Sequence, residues 1–295
     1  GISSLTPNLF NSYRFVADQV GRFAGCAGGS YSGGADWNTQ FETYDGSTWT
    51  TETSMTIARF DSAGGGSGYD GFLAIGGRDS SNLTSVEAWS GTSWSNTNSL
   101  NTGRHNVAGD GTPTTNAISM GGSPSAVETR TTGAWTTDAS GTFTGVEGLA
   151  GGAFSGSAWS GTTDAIAMGG YGDTDATQSW NGSIWTAETN MPTAQGGNAG
   201  GSFSTSAITF GGNENTYSVI TQVWTSGSWA TGGDMNVARI ACGGGGTPDN
   251  ALVFGGDSSG GVIGSTEHYA DSTWTSNGDL NVNTSRMSSG VGSVS

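Results

Sequence analysis

The chain has 295 residues, with 54 glycines, no lysine, eight arginines and 24 acidic residues, for a net charge of −16. That field repels nucleic-acid phosphates and anionic membrane surfaces, both of which call for clustered Lys and Arg, and no run approaches the ~18 apolar residues of a membrane span. Apolar residues still make up 33%, with 11 Trp, 11 Phe and 7 Tyr at regular intervals, so the composition is that of a folded chain and not a disordered one.

In chain order, residues 1–21 carry none of the pattern that follows. They are read as an N-terminal arm or cap, a place for assembly or homo-oligomer contacts. The chain opens on Gly1 and not on Met, which reads as a processed terminus or a part of a longer product. From residue 22 one word recurs. An apolar run ending in a glycine pair appears as "RFAGCAGG" (22–29), "FLAIGG" (72–77), "NAISMGG" (116–122), "DAIAMGG" (164–170), "SAITFGG" (206–212) and "NALVFGG" (250–256). The glycine pairs are spaced by 48, 45, 48, 42 and 44 residues. Each is followed by a polar stretch of variable length and a second short run: "QFETY" (40–44), "SVEAW" (85–89), "AVETR" (126–130), "ATQSW" (176–180), "ITQVW" (220–224) and "STEHY" (265–269). A turn and a tryptophan close each unit, at Trp49, Trp94, Trp135, Trp185, Trp229 and Trp274.

Ten residues after each tryptophan the next unit opens, at Arg59, Arg104, Gly145, Gln195, Arg239 and Thr284. Met55, Leu100, Met191, Met235 and Leu280 supply a single apolar anchor on the way. A glycine-rich strand then follows, as in "ARFDSAGGGSG" (58–68) and "ARIACGGGGT" (238–247). The apolar runs read as short strands. Asp-Gly and Asn-Gly in the turns join antiparallel neighbours, because both pairs tolerate positive φ. Four strands in about 45 residues, six times over and with no helical period, predict an all-β, six-bladed β-propeller of four-stranded blades. Residues 286–295 read as a first strand with no blade of their own. Residues 22–29 read as a second strand lacking a first. The C-terminal strand therefore completes the N-terminal blade and hides both edges. This places Cys26 and Cys242 on adjacent blades, either as two buried apolar thiols or as a disulfide.

Apolar–apolar–Gly–Gly, an aromatic, Gly-x-x-Trp and Met/Leu-x-x-x-Arg, in register six times, resemble the kelch repeat over about residues 22–295. Arg130 departs from the aromatic position in the third unit. Gly145 and Gln195 depart from the arginine position in the fourth and fifth. The lysine-free, Gly/Ser/Thr/Asn-rich wording further resembles kelch-like appendage and surface proteins of tailed phages, marine ones especially. That resemblance implies a fibre, spike or decoration protein.

The residues for chemistry are few. His105 and His268 fall on different blades and cannot make the His/Tyr copper site that kelch-type oxidases use, so no metal and no cofactor is expected. "CGGGG" has neither a helix nor a lysine behind it, as a phosphate loop needs. A hydrolytic triad would have to draw on the same two histidines. Arg59, Arg104, Arg239 and Arg286 recur with Glu42, Glu87, Glu128 and Glu267, and this one-per-blade recurrence reads as structural pairing. The chain is accordingly read as no enzyme.

Binding is expected where the units differ. The distance from tryptophan to next unit is constant, whereas the loop between second and third strands varies. Those loops carry Trp37, Tyr171, Asp173, Asp175 and Tyr217. Asp173 and Asp175, in "YGDTDAT" (171–177), read either as calcium ligands or as solvated carboxylates. Trp159, in "FSGSAWSGTTD" (154–164), belongs to a first-to-second-strand loop and is expected on the opposite face. The function expected from all this is structural and recognitive: a virion-surface protein contacting other virion proteins or host-surface glycans. The alternative is a secreted or cell-surface kelch lectin or adhesion domain of a cell.

Overall fold

A computed structural model describes residues 24–31, 37–66, 71–111, 116–138, 150–153, 164–170, 172, 174–196, 198–203, 205–212, 216–286 and 288–291. The N-terminal segment 1–21 lies outside the described residues. Six four-stranded antiparallel sheets make up the described fold, with no helix among them. Blade 1 consists of Ser288–Val291, Ala24–Ala27, Phe41–Tyr44 and Trp49–Thr51, from inner to outer strand. Blade 2 is Ala63–Gly66, Phe72–Ile75, Val86–Trp89 and Trp94–Thr97, and blade 3 is His105–Gly111, Asn116–Ser123, Ala126–Thr131 and Trp135–Thr137. Blade 4 is Ala150–Ala153, Ala165–Met168, Thr177–Trp180 and Trp185–Ala187. Blade 5 is Ala199–Phe203, Ser206–Phe210, Thr221–Thr225 and Ser228–Thr231. Blade 6 is Gly243–Thr247, Asn250–Phe254, Thr266–Ala270 and Thr273–Asn277. The inner strands neighbour one another in the order 1 to 6 and back to 1. The fold is a six-bladed β-propeller.

Closure follows the expected route. Ser288–Val291 pairs antiparallel with Ala24–Ala27, Ala24 opposite Val291 and Ala27 opposite Ser288. One element had no sequence signal: Asp257–Ser258 and Gly261–Val262 form a small hairpin inside the second-to-third-strand loop of blade 6.

The apolar core is divided among the blade junctions. Each of six buried clusters draws its side chains from two neighbouring blades, and together they cover all six junctions. The closing junction contains Ala24, Cys26, Tyr44 and Trp49 of blade 1 against Leu252 and Phe254 of blade 6. Each fully buried large side chain there stabilises the ring by about 1.5–3 kcal/mol. Cys26 and Cys242 are both free thiols, so the unpaired reading holds.

The repeated tryptophans face backwards across these junctions. Trp49, Trp229 and Trp274 donate their indole N–H to Thr266, Thr177 and Thr221 of the preceding blade, at 3.0, 3.1 and 2.9 Å. Blade 1 offers Phe41 at that position and not threonine. Trp94 packs edge-on against it with centroids 4.9 Å apart, and its indole nitrogen has no hydrogen-bond partner.

The glycine pairs have a backbone cause. All twelve residues take positive φ, as at Gly28 (68°) and Gly29 (102°). A Cβ on Gly28 would stand 2.5 Å from Arg59 O, and one on Gly169 2.4 Å from Gln195 O. The second glycine of the pair donates its N–H to the linker carbonyl in blades 1, 2, 4, 5 and 6: Gly29 to Arg59, Gly77 to Arg104, Gly170 to Gln195, Gly212 to Arg239 and Gly256 to Thr284, at 2.7–2.9 Å. The recurring word thus turns the chain out of each second strand and seats the linker that enters the next blade.

Candidate functional site

These bonds hold the second-to-third-strand loops and the blade-to-blade linkers together on one face of the ring. The hairpin turns leave from the other face. The linkers are anchored from beneath. Arg59 donates to Gly76 O and Ser85 O at 2.7 and 3.0 Å and to Glu87 at 2.7 Å, with both side chains fully buried. Glu87 also accepts the backbone N–H groups of Thr56 and Ile57. Arg239 and Glu267 repeat the arrangement at 2.6 Å, and Arg104 pairs with Glu128. Burial pulls the Arg59 guanidinium below the usual arginine range, and the Glu87 charge opposes it. These pairs lie within one blade and its incoming linker, and their guanidinium Nη groups and carboxylates are bonded to the scaffold, with only Arg59 Nε left unmatched among the three arginines.

Among the described linkers, two vary the theme. In blade 5, Gln195 replaces the arginine and Gln222 the glutamate. Gln222 Nε2 donates to Gln195 Oε1 at 2.7 Å, and Gln195 Nε2 donates to Gly211 O at 2.6 Å. In blade 1, Thr284 stands at the arginine position. Glu42 there accepts from Asn281 N, Asn281 Nδ2, Val282 N and Gln40 Nε2, at 2.8, 3.0, 3.2 and 2.6 Å. Arg286 therefore does not belong with the blade arginines. It lies two residues further on and faces Asp61 at 3.8 Å.

That further position is a second repeat. Asp61, Asn106, Ala241 and Arg286 each stand two residues past the linker position, and each takes a φ of 50–57°. Their backbones are chained around the ring: Asn106 N donates to Asp61 O, Asp61 N to Arg286 O and Arg286 N to Ala241 O, all at 2.8 Å. The left-handed turn swings each linker into its inner strand. No residue type marks the position in the sequence, and only the count of two from the linker residue locates it.

The described ones among the predicted binding residues, Trp37, Asp175 and Tyr217, are distributed around this face. Trp37 is half-buried and stacks on Phe60 of the next linker, with centroids 6.0 Å apart and planes at 18°. It packs blade 1 against blade 2. Asp175 in blade 4 is half-buried, and its Oδ1 accepts from Asn190 Nδ2 at 3.0 Å. Tyr217 in blade 5 is exposed, as is Tyr31 in blade 1, whose hydroxyl donates to Gln40 Oε1 at 3.2 Å. Tyr31 was missed because Trp37, six residues on in the same loop, is the larger aromatic. Blades 4 and 5 are neighbours, whereas blade 1 is three steps from blade 4, so Trp37 and Asp175 do not converge. Tyr171, Asp173 and Trp159 lie outside the described residues.

Titratable chemistry is sparse. His268 sits in the third strand of blade 6, its Nε2 2.8 Å from Asn250 Oδ1, and burial holds its pKa below the usual histidine value. His105 begins the inner strand of blade 3. Among the described residues, no group of three or more His, Cys, Asp or Glu is placed to hold a metal ion. No helix among them is long and apolar enough to cross a membrane.

No family model matches the chain, and no curated protein matches it in sequence. Solved structures do match. YjhT aligns with a TM-score of 0.65 over 87% of this chain and 97% of its own, at 14% identity. Identity that low carries the propeller fold and nothing about activity.

Proposed function

We propose that this chain is a non-enzymatic structural and recognition module of the kelch type, carried on the surface of a tailed-phage virion as a fibre, spike or decoration protein. On this reading it contacts other virion proteins or host-surface glycans through the second-to-third-strand loops. The observation that carries the reading is a division of labour. The repeated Arg, Glu, Trp and Gly residues are bonded within the scaffold, whereas the exposed aromatics Tyr31 and Tyr217 stand on loops that differ from blade to blade. Exposed tyrosine offers an apolar face and a hydroxyl together, which suits sugar rings and protein surfaces alike. A lysine-free surface of net charge −16 gives nucleic acid no purchase.

Glycan-array binding of the purified chain tests the recognition half, with Tyr31→Ala and Tyr217→Ala as matched variants. Loss of a glycan signal in either variant, with an unchanged fold, supports it. Quantifying the chain in purified intact virions tests the location. Absence from the particle, with glycan binding retained, moves the reading to a secreted or cell-surface lectin.

A further inference from the structure

The chain contains two Asn-Gly pairs, Asn181–Gly182 and Asn277–Gly278. Asparagine before glycine is prone to attack on its own side chain, because glycine lets its backbone nitrogen swing onto the amide carbon. The fold places the two pairs in different states. Asn181 opens the hairpin turn of blade 4, and residues 181–184 are all exposed. Its Oδ1 accepts the N–H of Ser183 and the N–H of Ile184, both at 3.0 Å. Those donors point at the oxygen on which negative charge gathers when the amide carbon is attacked, the arrangement that stabilises an oxyanion. Gly182 follows with φ at 92°.

Asn277 is held differently. Its Oδ1 accepts the N–H of Gly278, the group that would have to attack, at 2.9 Å. Gly278 is wedged against blade 1, where a Cβ would stand 2.2 Å from Ser47 O. The backbone swing that brings nitrogen onto the amide carbon is blocked there.

We infer that Asn181 is a site of spontaneous succinimide formation, by which the blade 4 turn converts itself into an acidic turn of the kind blade 1 already carries. The Gly182 nitrogen gives up its proton to water and bonds to Asn181 Cγ. The bond from Cγ to the side-chain nitrogen breaks, and that nitrogen takes a proton back from water and leaves as ammonia. Water then opens the ring at either carbonyl, leaving aspartate or isoaspartate at position 181. The aspartate product has a template in the same molecule. Blade 1 reads "DGSTW" (45–49) where blade 4 reads "NGSIW" (181–185). Asp45 Oδ1 accepts from Ser47 N and Thr48 N at 2.9 and 2.8 Å, the bonds that Asn181 makes to Ser183 and Ile184. The aspartate product therefore keeps the turn, the isoaspartate product lengthens its backbone by one carbon, and either adds one negative charge to the hairpin face.

The test is peptide mapping by mass spectrometry of the folded full chain during incubation at mildly alkaline pH. The peptide carrying residue 181 is expected to gain roughly one mass unit at least about tenfold faster than the peptide carrying residue 277, and Gly182→Ala to slow it by about tenfold. In the urea-unfolded chain the two sites are expected to react alike. Equal rates in the folded chain, faster reaction at Asn277, or no gain at Asn181 in a folded chain whose unfolded form reacts at both sites would each overturn the inference.

Discussion

Trp274 donates its indole N–H to Thr221 Oγ1 at 2.9 Å, across the junction between blades 6 and 5. Both residues are buried, so the bond is shielded from water. Thr221→Val keeps the shape and removes the acceptor. The expected cost is about 1–2 kcal/mol, the price of a buried donor left unmatched. Chemical denaturation of Thr221→Val, Trp274→Phe and the double variant reads the coupling. Additive losses would show that the bond contributes nothing beyond packing. Blade 2 supplies the natural contrast, since Trp94 already meets Phe41 in place of a hydroxyl.

The buried ion pairs predict a second asymmetry. Arg239→Met leaves the Glu267 carboxylate buried without its cation and is expected to cost about 3–5 kcal/mol. The double change Arg239→Gln with Glu267→Gln copies the amide pair of blade 5, where Gln195 and Gln222 bond each other at 2.7 Å. Its cost is expected to be smaller than that of Arg239→Met, by at least about 1 kcal/mol. Urea midpoints of the two variants decide this, and a double variant as unstable as Arg239→Met sinks it.

The contrast between blades also shows what was legible beforehand. The glycine pairs, hairpin turns and tryptophans are local signals tied to fixed backbone demands, so blade number, strand order and ring closure could be read directly. Pairing partners across the ring could not. Arg286 resembles the blade arginines in residue type, yet Thr284 holds the linker position, and the ten-residue count from Trp274 shows it. Trp37 reads as a free loop aromatic until the next linker brings Phe60 beneath it. The left-handed positions at Asp61, Asn106, Ala241 and Arg286 share no residue type, because the architecture imposes the conformation whatever side chain stands there. The hairpin at 257–262 is too short to show a period.

Backbone conformation predicts two substitutions of opposite sign. Gly169→Ala forces a side chain onto a φ of 68° and sets its Cβ 2.4 Å from Gln195 O. Backbone strain alone is expected to cost about 1–3 kcal/mol, with the clash in addition. Ala241→Gly relieves a residue already held at a φ of 50°. Relief of left-handed strain outweighs the added freedom of the unfolded chain, for a net gain of about 0.5–1 kcal/mol. Melting temperatures should move down for the first and up for the second. An unchanged Gly169→Ala protein would mean that the linker seat can relax.

Alkali should loosen the junctions before it affects the loops. Burial raises the Cys26 thiol well above its ordinary range, the Glu42 charge adding to it, and burial carries Cys242 up to about 11. Tyr44, at the closing junction beside Cys26, rises to about 12, through burial first and the Asp45 charge second. In each case the folded state holds the neutral form more tightly than the unfolded chain does. Their contribution is therefore whole below the unfolded values, near 9 for the thiols and 10 for the phenol. It falls away as pH rises through the folded ones. Melting temperature is expected to decline from about pH 9 upward, and Cys26→Ala and Cys242→Ala should each flatten the start of that decline. In the native protein at neutral pH the buried Cys26 thiol should react with a thiol reagent only as fast as the ring opens, so its rate should rise with denaturant, whereas the half-buried Cys242 serves as the faster comparison. Prompt reaction of Cys26 in the absence of denaturant would show that the closing junction is open to solvent.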